Sequence, residues 1–207
     1  MPQYPQILQR IKSGDHLLDL GCCFGQEIRK LIFDGAPQEN LHGTDLRQEF
    51  FDLGYDLFRD RDTCKTEFFA SNVFQPDEQR DKLNGTISVI YAGAFFHLFD
   101  HPEQIAVAKR VVQLLKPEPG TMVLGRQVGN VEPARYEHRT NSGHHMFRHN
   151  AESWQQMWDE VGEETGSKWK CWVELREEQR FTRMGRSSQN RDPAGVRGMR
   201  FAVTRVL

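Results

Sequence analysis

Residues 17–25 read Leu17-Leu18-Asp19-Leu20-Gly21-Cys22-Cys23-Phe24-Gly25, and this stretch decides the fold. A short apolar run carrying one acid ends in a glycine, and a second glycine stands where a helical pattern begins. That is a first strand turning into a first helix. Backbone amides in such a turn are directed above the strand, and glycine lets a ligand approach the main chain with no Cβ in the way. A nucleotide-type ligand is implied.

Outward from this turn, short β-type runs alternate with longer helical patterns. Residues 16–21 form the first strand, and 26–36 the first helix, with Ile28, Leu31 and Ile32 at helical spacing before Gly35 and Pro37 stop it. A second strand is expected at 41–46, a helix at 49–60 and a third strand at 66–74, where Pro76 forces a break. The β-branched run 87–92 is too apolar to have a wet face and reads as a buried fourth strand. Asp100 and Pro102 start a helix that Lys116-Pro117 ends, and a fifth strand occupies 121–128. Asn150 caps a helix over 151–166, and two strands, 168–177 and 198–207, close the chain around an arginine-rich loop. Such alternation predicts an α/β, doubly wound, mostly parallel sheet ending in an antiparallel strand pair.

Bulk properties narrow the function. The chain has 207 residues, long enough for one domain with a real core, and residues 1–207 are expected to form a single one. Its 27 basic and 29 acidic residues give a formal charge of -2, without the broad basic footprint of a nucleic-acid binder. The arginines between Arg176 and Arg200 read as a solvated loop before the last strand. Mean hydropathy is -0.67, and no apolar run approaches the ~18 residues that span a bilayer. The first residues lack a basic-then-apolar secretion pattern, so a cytoplasmic protein with no membrane partner is expected. Cys22, Cys23, Cys64 and Cys171 form no C-x-x-C pair and read as reduced thiols.

The spacing of the first turn discriminates between cofactors. A dinucleotide fold uses G-x-G-x-x-G, whose middle glycine leaves room for a pyrophosphate, but here Cys22 and Cys23 take that room. An oxidoreductase using NAD is disfavoured on this ground. S-adenosyl-L-methionine has no phosphate and carries a sulfonium and an ammonium, which suit an acid at the strand end, namely Asp19. Asp45, at the end of the second strand, is placed to accept hydrogen bonds from ribose hydroxyls. His97, past the fourth strand, is a candidate base for deprotonating a hydroxyl. Arg126 is read as ending the fifth strand at the same rim, where it can hold an acceptor carboxylate in a forked pair. Phe95 and Phe96 fit either a site wall or the core. Residues 135–149 hold four histidines, of which His145 and His149 invite a metal reading, but Asn141-Ser142-Gly143 breaks any long helix. A mobile, substrate-covering loop and no metal are expected there.

Asp19-x-Gly21-x-x-x-Gly25 resembles the first motif of class I S-adenosylmethionine-dependent methyltransferases, and the segment Gly43-Thr44-Asp45-Leu46 resembles their second. Asn72 matches the position that contacts adenine in that superfamily. Residues 91–100 and 114–124 are similar to its fourth strand, linking helix and fifth strand. The wording of 18–37, 95–100 and 114–127 further resembles fungal methyltransferases of meroterpenoid and polyketide biosynthesis. This resemblance implies a Rossmann-like seven-stranded sheet and O-methylation of a carboxyl or hydroxyl group on a small secondary metabolite. It places the cofactor against Asp19, Gly21, Cys22 and Gly25 from the first motif, and against Asp45, Leu46, Asn72, Val73 and Ala92 beyond it. His97 and Arg126 are the catalytic candidates; a homodimer is left open. Members of that fungal group carry a further N-terminal helical segment, where this chain offers only residues 6–14, so a short or missing helical cap is expected. The alternative is a protein of the same fold that binds the cofactor but serves as a cyclase, a partner subunit or an inactive paralogue.

Overall fold

The computed structural model describes residues 2–137, 143–177 and 195–207. The first helix, α1 (Tyr4–Lys12), packs Ile7 and Ile11 inward and leads into β1 (Leu17–Leu20). There follow α2 (Gln26–Phe33), β2 (Leu41–Asp45), α3 (Gln48–Phe58), β3 (Glu67–Ala70), the single turn α4 (Glu78–Asp81) and β4 (Val89–Gly93). Then come α5 (His101–Leu114), β5 (Met122–Asn130), β6 (Ala134–Glu137), β7 (His145–Arg148), α6 (Ala151–Thr165), β8 (Trp169–Arg176) and β9 (Val196–Arg205). Seven of these strands form one sheet in the order β3-β2-β1-β4-β5-β9-β8. β1 pairs in parallel with both β2 and β4, so the strand order reverses there, and in open α/β sheets that switch point is where ligands bind. The last two strands, β9 and β8, run antiparallel to β5 and to each other, respectively.

Strand alternation sorts the interior into two layers. Leu18, Leu20, Ile90, Ala92, Val123 and Phe201 face α5 and α6, whose Val107, Val111, Trp154 and Trp158 are fully buried there. Leu17, Val89, Met122, Leu124 and Ala202 face α1 and α2. Full burial of each such aliphatic or aromatic side chain contributes on the order of 1.5–3 kcal/mol, so both faces are held mainly by packing.

Helix starts follow their caps. The Asp100 side chain accepts from the His101 N–H, and Glu103 returns a bond to the Asp100 N–H, so α5 begins where Asp100 and Pro102 predict. Asn150 caps α6 through the Ser153 N–H, as expected. Other readings need correction. Residues 134–137 and 145–148 pair as an antiparallel hairpin, tied to the body by Arg135 to Asp100 at 2.7 Å and by the Phe147 N–H to the Phe99 carbonyl at 2.9 Å, where a loop was expected. Arg176 lies in β8 and Arg200 in β9, within the expected strands, while Arg197 also belongs to β9, which begins two residues before the expected start and takes that arginine out of the solvated loop. Arg180, Arg183, Arg186 and Arg191 lie outside the described residues, as does His138.

Candidate functional site: two cavities at the switch point

The turn between β1 and α2 is left-handed at three alternate positions: Gly21 (φ +76°), Cys23 (φ +51°) and Gly25 (φ +69°). Two of the three are glycine, which meets this conformation without a Cβ penalty. A Cβ on Gly21 would lie 2.6 Å from Phe95 Cδ2, so the aromatic ring packs directly on the glycine main chain. At Gly25 a Cβ would meet Phe68 and the Arg29 guanidinium, each at 2.7 Å. The amides of the turn serve the protein itself. Gly21 and Cys22 N–H both donate to the Thr44 carbonyl, at 2.8 and 3.0 Å, Cys23 N–H donates to Asp45 Oδ2 at 2.8 Å, and Gly25 N–H donates to the Cys22 carbonyl at 2.8 Å. The expectation that these amides are aimed at a ligand is therefore corrected: those of Gly21, Cys22 and Cys23 tie the turn to β2, and that of Gly25 closes the turn itself.

Because adjacent strand residues face opposite ways, Asp19 and the Leu20–Gly21 pair open onto different cavities. The first, of about 430 Å³, is walled by Leu20, Gly21, Thr44, Asp45, Leu46, Arg47 and Phe50 on one side. Ser71, Asn72, Val73, Phe74, Ala94, Phe95, Leu98 and Phe99 close the other. Aromatic edges dominate it: Phe95 and Phe74 each meet Phe99 edge-on, at 5.3 and 5.1 Å between centroids. Asp45 is its only acidic wall residue among the described residues. Each of its carboxylate oxygens accepts one backbone N–H, from Cys23 and from Leu46 at 2.7 Å, and each retains a lone pair for a further donor.

The second cavity, of about 230 Å³, lies on the α1–α2 face, over the apolar floor of Ile7, Leu17, Ile28, Leu31 and Leu124. Its polar groups are Tyr4, Asp19, Glu27, Tyr91, Arg126 and Arg200. Sheet register explains the set. Asp19, Tyr91, Leu124 and Ala202 form one row across the sheet, and Gly93, Arg126, Arg200 and Glu174 form another toward the carboxyl ends of the parallel strands. Two arginines directly opposite repel one another, and carboxylates flank them: Glu27 reaches to 3.9 Å of Arg126, and Glu174 stands beside Arg200.

Asp19 is 2% exposed, and its Oδ2 has no hydrogen-bond partner among the described residues. Burial, with the charges of Glu27 and Asp45 adding to it, raises its carboxyl well above the usual range near 3.8. An isolated buried carboxylate is costly, so the ionised form of Asp19 is favoured only where a cation or donor meets it. Burial likewise raises the Tyr91 phenol to about 12 and drives the Cys22 thiol far up, which makes Cys22 a packing residue and not a nucleophile.

Of the positions expected to hold a cofactor, Gly21, Asp45, Leu46, Asn72 and Val73 line the first cavity, and Asp19 lines the second. Cys22, Gly25 and Ala92 line neither. Cys22 is 1% exposed and packed inside the turn, so it does not fill a ligand space, and Gly25 is enclosed by Arg29 and Phe68. Ala92 lies in the core beneath the sheet end, and its neighbour two residues on, Ala94, reaches the cavity instead. Phe95 walls that cavity while Phe96 is fully buried, which separates the two roles. Arg126 stands within β5, which runs on to Asn130, and not at its end. His97 sits in a 3-10 turn, Phe96–Leu98, and borders neither cavity, so the structure does not join it to Arg126. Among the described residues no cluster of three or more His, Cys, Asp or Glu is disposed to hold a metal ion. His149 is fully buried against Trp154, at 5.1 Å between ring centroids, and burial lowers it to about 3. Sequence reasoning missed Tyr4, Glu27, Tyr91 and Arg200; the two-residue alternation of β4 and β9 with Asp19 was the signal that could have found Tyr91 and Arg200.

Residues 17–118 match the family described as "Methyltransferase domain" (Methyltransf_25), and with this topology they make the chain a methyltransferase domain of the S-adenosylmethionine-dependent class. Within that class its curated relatives are fungal. The chain is 46% identical over 186 residues to the O-methyltransferase phiE of a fungal species, covering 88% of this chain and 62% of that protein. It is 44% identical over 176 residues to the O-methyltransferase atr3 of Stereocaulon alpinum, with 84% and 51% covered. It is 43% identical over 168 residues to the Asnovolin E/Chermesin D methyltransferase nvfJ of Aspergillus novofumigatus, with 81% and 60% covered. The chain thus spans between about half and three fifths of the length of these relatives. Among solved structures, the Haemonchus contortus phosphoethanolamine N-methyltransferase 2 bound to S-adenosyl-L-methionine superposes with a TM-score of 0.62 at 16% identity, over 98% of this chain and 52% of that one. The [4+2]-cyclase SpnF superposes with a TM-score of 0.63 at 14% identity, over 98% and 80%. Both show a shared fold. The cofactor of the class is S-adenosylmethionine, and the residues here fit it: an orphaned buried carboxylate for a cationic group, a free acceptor pair on Asp45 for a diol, and an apolar aromatic slot.

Proposed function

We propose that the chain is the cofactor-binding unit of an O-methyltransferase that methylates a carboxyl or hydroxyl group of a small meroterpenoid- or polyketide-type acceptor. One observation carries the cofactor reading: the buried Asp19 carboxylate, orphaned at the switch point in a cavity that also holds two guanidinium groups. A group bearing both an ammonium and a carboxylate suits that wall, and an adenosine suits the Phe-lined cavity on the other side of Gly21. Asp45 then receives ribose hydroxyls, and Asn72 and Val73 border the base. When bound, the sulfonium supplies an electrophilic methyl group. The protein's task is to hold an acceptor oxygen in line with it and to exclude water, the source of effective-molarity gains.

A carboxylate acceptor suits this site better than a phenol. It is ionised at neutral pH, with an ordinary pKa of about 4, and needs no base. A phenol, at about 10, needs one, and His97 stands outside both cavities. Arg126, more than half exposed at the rim and met only at 3.9 Å by Glu27 among the described ion pairs, is our candidate for orienting the acceptor. Residues 1–207 act in this reading as one domain, with a small molecule and not a nucleic acid as partner, in the cytoplasm. Among the described residues no helix is long and apolar enough to cross a membrane. The test is transfer of a labelled methyl group from S-adenosylmethionine into acidic and phenolic fungal metabolites, followed by alkaline hydrolysis. Label lost to mild alkali marks a methyl ester. Label retained marks an ether and returns the base question to His97. A protein that binds the cofactor yet labels no acceptor supports the cyclase or partner alternative.

A further inference from the structure

Arg80 walls neither cavity, yet it is fully buried and its guanidinium grips the loop that forms one side of the Asp45 cavity. Nη1 donates to Ser71 Oγ at 3.1 Å and to the Asn72 carbonyl at 2.8 Å; Nη2 donates to the Gln75 carbonyl at 2.7 Å. Its charge is met by Asp81 at 3.2 Å, an oxygen that Arg110 of α5 also holds at 3.2 Å. The same loop joins the site directly, because the Ser71 N–H donates to the Asp45 carbonyl at 2.8 Å, while Asn72 Oδ1 is engaged by the Phe74 N–H at 3.0 Å. A buried cation is an expensive way to fill space, and an apolar side chain would fill it without leaving carbonyls to satisfy. What only a planar, five-donor fork supplies is the simultaneous fixing of three acceptors in one loop.

We propose that Arg80 is the positioning residue of the adenosine side: it clamps residues 71–75 so that the Asn72–Phe74 wall is formed before the cofactor arrives. This rests on the reading that the Asp45 cavity takes adenosine. Without the clamp, ordering of the loop is charged to binding, so affinity falls while the transfer step at saturating cofactor does not.

The experiment measures S-adenosylhomocysteine and 5′-deoxyadenosine affinity by calorimetry for wild type, Asp45→Ala, Arg80→Ala, Arg80→Lys and Ser71→Ala, with thermal melts alongside. The expected result is a loss of about ten- to hundredfold for Arg80→Ala with both ligands, partial recovery in Arg80→Lys, a loss of a few-fold in Ser71→Ala with an unchanged melt, and restoration of Arg80→Ala by added methylguanidinium. Should Arg80→Ala fail to fold, Arg80→Lys and Ser71→Ala carry the test, and wild-type affinity in both overturns the proposal. If Asp45→Ala weakens binding and a folded Arg80→Ala does not, Arg80 is not a positioning residue. If neither weakens it, the adenosine assignment itself is wrong.

Discussion

The two cavities on either side of Gly21 are built from opposite materials. One is an aromatic slot with a single carboxylate whose oxygens are already half used by backbone amides; the other sets two acids, two arginines and two tyrosines over an aliphatic floor. The difference arises from β1 itself: alternation sends Leu20 to one face and Asp19 to the other, and the turn at Gly21 lies where the two faces meet. An amphipathic ligand with an aromatic end and a zwitterionic end matches that division, and each half of the site can be attacked separately.

The largest effect is expected at the junction. Gly21→Val places a branched side chain where φ is +76° and where Phe95 leaves no room for a Cβ, so it strains the turn by roughly 1–2 kcal/mol and displaces the ring. Affinity for S-adenosylhomocysteine should fall below detection in calorimetry, with a lowered melting temperature. Wild-type affinity in the folded variant would remove the junction from the account.

Asp45→Ala attacks the aromatic side alone. Loss of hydrogen bonds to a charged group should weaken binding by about 1.5–3 kcal/mol, for 5′-deoxyadenosine as much as for S-adenosylhomocysteine. A variant that loses affinity only for the longer ligand would place Asp45 in the wrong half.

Asp19→Asn attacks the charged side and carries a pH signature. Since burial raises the Asp19 pKa in the folded protein, its contribution to stability is fully present below the ordinary range near 3.8 and is lost as pH rises through the raised value. The cofactor-free variant should therefore melt no lower than wild type at neutral pH, and higher as pH increases. Binding reverses the sign: an ammonium favours the ionised carboxylate, so wild-type affinity should tighten with rising pH and release a proton, seen as buffer-dependent calorimetric heat. Asp19→Asn should abolish that dependence and cost about tenfold in affinity for S-adenosylhomocysteine, with 5′-deoxyadenosine unaffected.

How far the sequence revealed this division differs between the halves. Asp45, Asn72 and the glycine turn are local signals at strand ends, and the order of strands and helices follows from caps such as Asp100 and Asn150, so the aromatic half was legible. The charged half is assembled by register. Arg200 reaches it because β9 runs antiparallel beside β5, and within the sequence it sits at the end of an arginine-rich stretch that resembles a loop. Tyr4 and Glu27 arrive by helix packing, which periodicity does not reveal. Ala92 was misjudged by two residues for a related reason: the left-handed Ala94 (φ +56°) turns the chain after β4, and only past that bend does it face the cavity.

The smallest effect is expected at His97. Outside both cavities, it has no proton to remove from a carboxylate acceptor, so His97→Ala should change turnover by less than about tenfold and leave the pH profile of the rate in place. A loss of about a hundredfold or more, with the residual rate rising with pH, would make the acceptor a hydroxyl and His97 its base.

The most direct test of the central claim is a calorimetric titration of the 207-residue chain with S-adenosylhomocysteine, 5′-deoxyadenosine and NAD. The account predicts one saturable site for the first, weaker binding of the second with sensitivity to Asp45→Ala but not to Asp19→Asn, and no binding of NAD. Folded protein that binds NAD and ignores S-adenosylhomocysteine would contradict it.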